Sequence, residues 1–208
     1  MLAPKGFFVT QLDLSAYTKG TSIADWPVLS GEEAKRRIQE ELKPIERSGE
    51  PIVFIDHSFE VKGIGSVLLG IVHSGRISVH DKLSCYPTGG ELEIRSIQKN
   101  DVDVKEASSS DRVGLAIRGL TSKEARRGSI LASKPMKVVN ELPAKITYSR
   151  FAARDSKVLH AFHCLQSSPC RLDGERLLFD KPIALVEGEP LILADLNKKM
   201  RAVGKVEF

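Results

Sequence analysis

Residues 55–87 read IDHSFEVKGIGSVLLGIVHSGRISVHDKLSCYP, and this stretch sets the fold class. Short runs rich in apolar and β-branched residues, ending at Ile55 and spanning Gly65–His73 and Lys82–Tyr86, alternate with turn chemistry such as His73-Ser74-Gly75. Runs of this length bounded by Gly, Ser and Asp predict strands, because they are too short for helices and too rich in branched side chains. Gly63 and Gly65 fall where the chain turns sharply or where two strands approach closely, and either situation excludes a side chain. Gly63-Ile64-Gly65 is not a dinucleotide fingerprint: the third glycine is missing and a strand, not a helix, follows.

The same rhythm continues on both sides. Ile52–Ile55 precedes the stretch, and Glu91–Gln98, Arg112–Arg118 and Ser129–Leu131 follow it. In Glu91–Arg95 the apolar Leu92 and Ile94 share a face, and Ile97 falls out of phase, so a bulge or a strand end is expected there. Thr88-Gly89-Gly90 and Ser108–Asp111 supply further turns. Six short strands in about 85 residues suggest a small closed barrel or sandwich. Beyond Lys134-Pro135, a second set is expected over Ala144–Phe151, Val158–Leu165, Arg176–Phe179, Ile183–Val186, Pro190–Ala194 and Val203–Phe208.

The first 50 residues differ. Phe7-Phe8-Val9 is a strand candidate, and one helix is signalled by Ser30 with Glu33 three residues later, a capping box. Ala34, Ile38 and Leu42 then share one helical face, which needs a neighbour, and Pro44 ends the run. The expected organisation is therefore 1–49 as a short α-containing segment, 50–135 as one barrel and 136–208 as a second: a mainly β chain of two consecutive small antiparallel β-barrels.

Composition narrows the function classes. Of 208 residues, 41% are hydrophobic and 28% charged, the profile of a globular protein rather than a disordered one. The longest nearly apolar run, Ile64–Val72, falls far short of the roughly 20 residues that span a bilayer, and no secretory signal opens the chain, so a cytoplasmic protein without a membrane partner is expected. Three cysteines do not make a disulfide framework. The net charge of +4 lies in the last two-thirds, the first 50 residues being slightly acidic. His160, His163, Cys164 and Cys170 are candidate zinc ligands by residue type. On a strand His160 and Cys164 share one face and His163 takes the other, which argues for an ordinary core strand, so no metal site is expected.

Pro51–Ser133 resembles domain II of the translational GTPases, the family of elongation factor Tu and the selenocysteine-specific elongation factor. The marks are a Phe shortly after an acidic position, Gly63-Ile64-Gly65-Ser66, Gly70, Ser74-Gly75 and Val79-His80-Asp81. RSIQ at 95–98, DRVGLAIRGL at 111–120 and RRGSIL at 126–131 follow in order. The wording of IDHSF and RSIQ is similar to the selenocysteine-specific branch of archaea and eukaryotes and to archaeal paralogues of it. Residues 136–208 resemble a shortened domain III through VLHAFHCLQSSPCRL and KPIALVEGEPLILADLN followed by RAVGKV. Phe7–Asp13 resembles the guanine-recognition strand of a GTPase domain, but Thr10 and Gln11 replace its Asn and Lys and only Asp13 survives, which implies a degenerate remnant.

The resemblance implies a site. In those factors a domain II pocket receives the terminal adenosine and the aminoacyl group of a charged tRNA. Matched position by position, its residues fall on Asp56, His57, Phe59, Arg95 and Gln98. Asp56 would accept from an α-amino group, and His57 and Arg95 would hold an anion. Two departures weaken the match: bacterial relatives carry Arg at the His57 position, and Asp101 stands where elongation factor Tu has Arg. The alternative is an Asp-His pair capping a turn at a strand end. Lys123, Arg126 and Arg127, and Lys198, Lys199 and Arg201, are candidate tRNA-phosphate contacts or simply solvated charges.

No G-x-x-x-x-G-K-[ST] loop occurs, nor a following D-x-x-G element for Mg²⁺. The chain alone is therefore not expected to hydrolyse GTP. GTP and Mg²⁺ would enter only through a G domain upstream, and no cofactor is expected here. The leading expectation is an elongation factor-like protein with aminoacyl-tRNA and the ribosome as partners. The alternative is a non-catalytic paralogue whose barrels bind protein or ribosomal RNA. Oligomeric state is not legible.

Overall fold

The computed structural model describes residues 6–41, 45–152, 158–199 and 201–208. It divides into two units, 1–44 and 45–208.

The first unit holds α1 (Ser15–Thr18) and α2 (Gly31–Glu41). The capping box forms as expected: Glu33 N–H donates to Ser30 Oγ at 3.2 Å, and Ser30 N–H returns to Glu33 Oε2 at 3.2 Å. Ala34 is buried, Ile38 is 47% exposed, and Leu42 and Pro44 lie outside the described residues. The strand expected at Phe7–Val9 reduces to one parallel bridge, Phe8 to Val28, with Phe8 N–H donating to Pro27 O. Trp26 stacks obliquely on Phe8 with ring centres 5.6 Å apart.

The second unit contains the two β systems. The first comprises β1 (Ile52–Val61), β2 (Gly65–Ser74), β3 (Arg76–Ser78), β4 (Lys82–Tyr86), β5 (Glu91–Lys99), β6 (Val102–Val104), β7 (Glu106–Ser108), β8 (Arg112–Arg118) and β9 (Ile130–Ala132). The sheet runs β4-β9-β1-β2-β8-β5-β6, and β4 also pairs with β5, so six strands close a ring. β3 and β7 form a small separate ribbon. Ile55, Leu68, Leu83, Ile94, Ile97 and Leu115 fill the interior with no more than 1% of their surface exposed.

Two irregularities shape the outer face. The register shifts between Ile94 and Ser96, so Ile94 and Ile97 both point inward and Arg95 is left on the bulge, which resolves the phase break seen in sequence. A second shift lies between Ile55 and His57, making Asp56 the extra residue opposite Gly70 and Leu69. A methyl group at Gly70 would stand 2.3 Å from the Phe54 carbonyl oxygen, so this bulge requires glycine across from it. Gly63 and Gly65, by contrast, have φ of 83° and 100° with open space around them: the sharp turn, not a close approach, is what they serve.

The second system comprises β10 (Val138–Pro143), β11 (Ile146–Tyr148), β12 (Leu159–His163), β13 (Gln166–Asp173), β14 (Arg176–Ala184), β15 (Leu191–Ala194) and β16 (Ala202–Val206), in the order β10-β14-β13-β12-β15-β16-β11. Because β10 and β11 are consecutive in the chain, residues 138–148 act as one bent strand that pairs with β14 by its first half and β16 by its second. Leu159, Ala161, Leu177, Leu191 and Leu193 are buried inside. A third cluster, Phe54, Ile130, Ala184 and Val186, joins the two barrels, with Cys164 packed against it.

The segments 176–179 and 183–186, expected as two strands, merge into one: β14 runs through Pro182 and ends at Ala184, leaving Leu185 and Val186 in the loop that follows. Besides β10, β13 is an addition to the expected set. Its inward positions include Gln166 and Ser168, whose side chains replace missing ladder bonds: Gln166 Nε2 donates to Ala184 O at 2.7 Å, Ala184 N–H donates to Gln166 Oε1, and Lys181 N–H donates to Ser168 Oγ.

Candidate functional site

The bulge at Asp56 organises the outer face of the first barrel. A bulge turns two neighbouring side chains toward the same side of a strand. Asp56 and His57 accordingly both line a cleft of about 510 Å³ together with Leu69, Ile71, Arg112, Arg127 and Leu165. The pair is therefore not a strand-end cap: β1 continues to Val61 beyond it.

Backbone bonds bring the other walls in. Gly128 N–H donates to Ile55 O and Ile55 N–H to Ser129 O, which sets Arg127 beside the bulge. The same loop is tied to β1 further along, where Ser58 Oγ donates to Ser122 O and Ser122 N–H to Glu60. Leu165 arrives from the second barrel on the two-residue turn between β12 and β13, where a methyl on Gly128 would lie 3.0 Å from the Leu165 carbonyl oxygen.

The electrostatics are uneven. Asp56 Oδ2 pairs with Arg112 Nη2 at 2.7 Å, whereas Asp56 Oδ1 is buried with no hydrogen-bond donor among the described residues. Arg126 and Arg127 are exposed and engage no acceptor among the described residues. Arg126 and Arg127 also line an adjoining cleft of about 540 Å³, with Lys181 of the second barrel on its other wall.

The remaining expected residues spread along the same face. Register pairs His57 with Leu69, Leu69 with Gly114 and Gly114 with Gln98, a transverse row three strand spacings long, or about 14 Å. Gly114, bearing no side chain, leaves that row shallow between Leu69 and Gln98. Phe59, two residues beyond His57, is 39% exposed and shares the next row with Ser96 through Val67 and Ala116. Gln98 donates to Asp103 Oδ1, and Arg95 Nη1 donates to Ile64 O at the β1–β2 turn, so Arg95 is directed to that turn rather than to Asp56. Arg112 and Leu165 carry no sequence signal for the site, because only the register of β8 and the turn after His163 bring them here. The spacing of DRVG after the turn at Ser110 places Arg112 at a strand start but gives it no face.

The other candidates lie apart. Lys123 is exposed in the 119–129 loop, and Lys199 and Arg201 are exposed near the Asp195 turn, where Asn197 N–H donates to Asp195 Oδ1. Lys198 N–H donates to Asp195 O in that turn. In the first unit Asp13 accepts from Ser15 N–H at 2.9 Å, and that bond holds its carboxyl below the usual range.

Among the described residues no three His, Cys, Asp or Glu side chains are disposed to hold a metal. β12 ends at His163, and Cys164 lies in the turn with φ 53°, so the expected common face of His160 and Cys164 does not extend to it. Burial, reinforced by a nearby carboxylate in each case, pushes the Cys164 and Cys170 thiols up to about 12, away from the thiolate that zinc requires.

Comparisons with known proteins agree with this architecture. Residues 65–132 match the family described as elongation factor Tu domain 2. An uncharacterized protein of Methanocaldococcus jannaschii is 39% identical over 158 residues, 72% of this chain and 51% of that protein. The selenocysteine-specific elongation factor of the same organism is 40% identical over 94 residues, 44% of this chain and 20% of the factor. Elongation factor 1-alpha of Cenarchaeum symbiosum is 33% identical over 107 residues, 50% of this chain and 24% of that factor. Translation elongation factor SelB from Methanococcus maripaludis, in complex with the GTP analogue GppNHp, superposes over 93% of this chain and 53% of its own with a TM-score of 0.77 at 21% identity. The chain thus spans about half of the first of these relatives and a fifth to a quarter of the curated elongation factors.

Proposed function

We propose that this chain, a translation elongation factor-like protein built from barrels of the domain II and domain III type, binds the aminoacyl acceptor end of a tRNA on the outer face of its first barrel. The observation that carries the reading is the bulge at Asp56, which turns a carboxylate and an imidazole together into a cleft bordered by Arg112 and Arg127. An ammonium finds an acceptor in Asp56. The row from His57 to Gln98 is long enough for the terminal nucleotide, with Phe59 beside it as an exposed ring. Arg126 and Arg127 supply charge for backbone phosphates, as Lys123 does from the same loop and Lys198, Lys199 and Arg201 from the second barrel. The setting is the ribosome and the cytoplasm. Turnover of GTP belongs to a G domain, and none of its phosphate-binding motifs occurs in these 208 residues.

Filter binding with charged and uncharged tRNA tests the reading. A preference for the charged form that falls in Asp56→Asn and His57→Ala is expected. Equal affinity for both forms, unchanged by these substitutions and by Arg95→Ala, removes the aminoacyl pocket.

One observation favours a second reading, a non-catalytic paralogue that uses its barrels to bind protein or ribosomal RNA: the Asp13 carboxylate is occupied by its own turn. Nucleotide titration of the full-length gene product separates the two, since tight GTP binding is incompatible with a decayed G domain.

A further inference from the structure

Within the cleft the usable part of Asp56 is a single oxygen. Oδ1 is closed off from solvent without a donor, yet 24% of the side chain is exposed, so the carboxylate meets the cleft through Oδ2. That oxygen is already held by Arg112 Nη2 at 2.7 Å. His57 and Arg127, the other ionisable residues lining the cleft, offer no second carboxylate. A ligand ammonium on the same oxygen would stand against the Arg112 guanidinium, and the repulsion between the two cations sets them in competition for it. Arg112 has somewhere to go: it stands on the outer face at the start of β8, opposite Ile71, with 67% of its side chain exposed.

We propose that Arg112 is a tethered competitor for the ligand's amino group, occupying Asp56 in the free protein and swinging into solvent when a protonated amine enters. The inference rests on the aminoacyl-end reading and adds to it the residue that sets the threshold for entry: a neutral or acylated amine gains too little at Asp56 to displace the guanidinium. An ion pair this exposed is closed by only a modest equilibrium constant, so the competition lowers apparent affinity by about threefold to fivefold.

The test uses the full chain and two probes, a stable 3′-(aminoacylamino)-3′-deoxyadenosine and its N-acetylated form, titrated by calorimetry. Arg112→Gln is expected to bind the amine probe about threefold to fivefold tighter, with the acetylated probe unchanged. In an Asp56→Asn background the same substitution should change neither. Unchanged or weaker binding of the amine probe by Arg112→Gln overturns the inference, as does a gain that persists without Asp56, which would be long-range charge alone. If wild type prefers the amine and Arg112→Gln adds nothing, the inference fails while the aminoacyl reading stands. If neither protein prefers the amine, both fall. Thermal melting of each variant verifies that the barrel is intact.

Discussion

Val186 N–H donates to His163 Nε2 at 2.8 Å, which fixes the imidazole as the tautomer carrying its proton on Nδ1, where it donates to Pro190 O at 3.1 Å. His163 is fully buried, and both ring nitrogens are spent on the loop between β14 and β15. Burial lowers its proton affinity from the ordinary 6.5, partly offset by the Pro190 carbonyl and Glu189. The unfolded chain therefore binds a proton more readily than the native one. Stability should be full above the unfolded value of 6.5 and decline as pH falls through the lower native value. His73, whose proton affinity is lowered mainly by burial and next by Arg47, acts in the same direction. Urea midpoints measured from about pH 8 to pH 5 should fall in wild type and fall less steeply in His163→Gln. An identical slope would mean that His163 is not the titrating group.

Gly70→Ala places a methyl 2.3 Å from Phe54 O and 3.2 Å from Ile55 Cδ1. Neither a backbone carbonyl nor a core isoleucine yields cheaply, so a loss of about 2 kcal/mol or more is expected in chemical denaturation. Since Asp56 shares this bulge, the variant should also lose any preference for charged tRNA. Gly63→Ala, strained in φ but spatially free, should cost less, about 1 kcal/mol.

Gln166→Leu removes two bonds to the Ala184 peptide and leaves its buried N–H and C=O without partners. The expected cost is about 2 kcal/mol, read as a shift in denaturation midpoint with little change in slope. Gln166→Glu, which keeps the acceptor but not the donor, should also be destabilised.

Arg126→Ala and Arg127→Ala should weaken charged and uncharged tRNA alike, because phosphate contacts carry no information about the amino acid. Each should reduce the slope of log affinity against log salt by about 1. A variant that weakened only the charged form would transfer that arginine to the aminoacyl pocket.

The parts of the fold that are legible in sequence are those where one face is apolar. Lys82–Tyr86 and Arg112–Arg118 alternate cleanly and match β4 and β8 end to end. In sequence β1 stops short at Ile55 because the apolar run gives way there to Asp56-His57-Ser58, and the rest of the strand buries no side chain fully. β13 is invisible there because polar side chains fill its inward positions, satisfied by contacts that no local pattern encodes. At the site, Asp56 and His57 are legible as neighbours. The ion pair to Arg112 depends on register across β1, β2 and β8, which spacing along the chain does not carry.

Each ring is sealed by its ends. β1 pairs with β9, and the bent strand 138–148 waits for β16. During synthesis the first barrel can therefore shut as soon as Ala132 clears the ribosomal tunnel, without help from any strand of the second. The second remains an open, sticky ribbon until Val206 has emerged. A nascent chain halted between those two points would carry one finished module and one unprotected edge, and it is the second that a chaperone would have to shield.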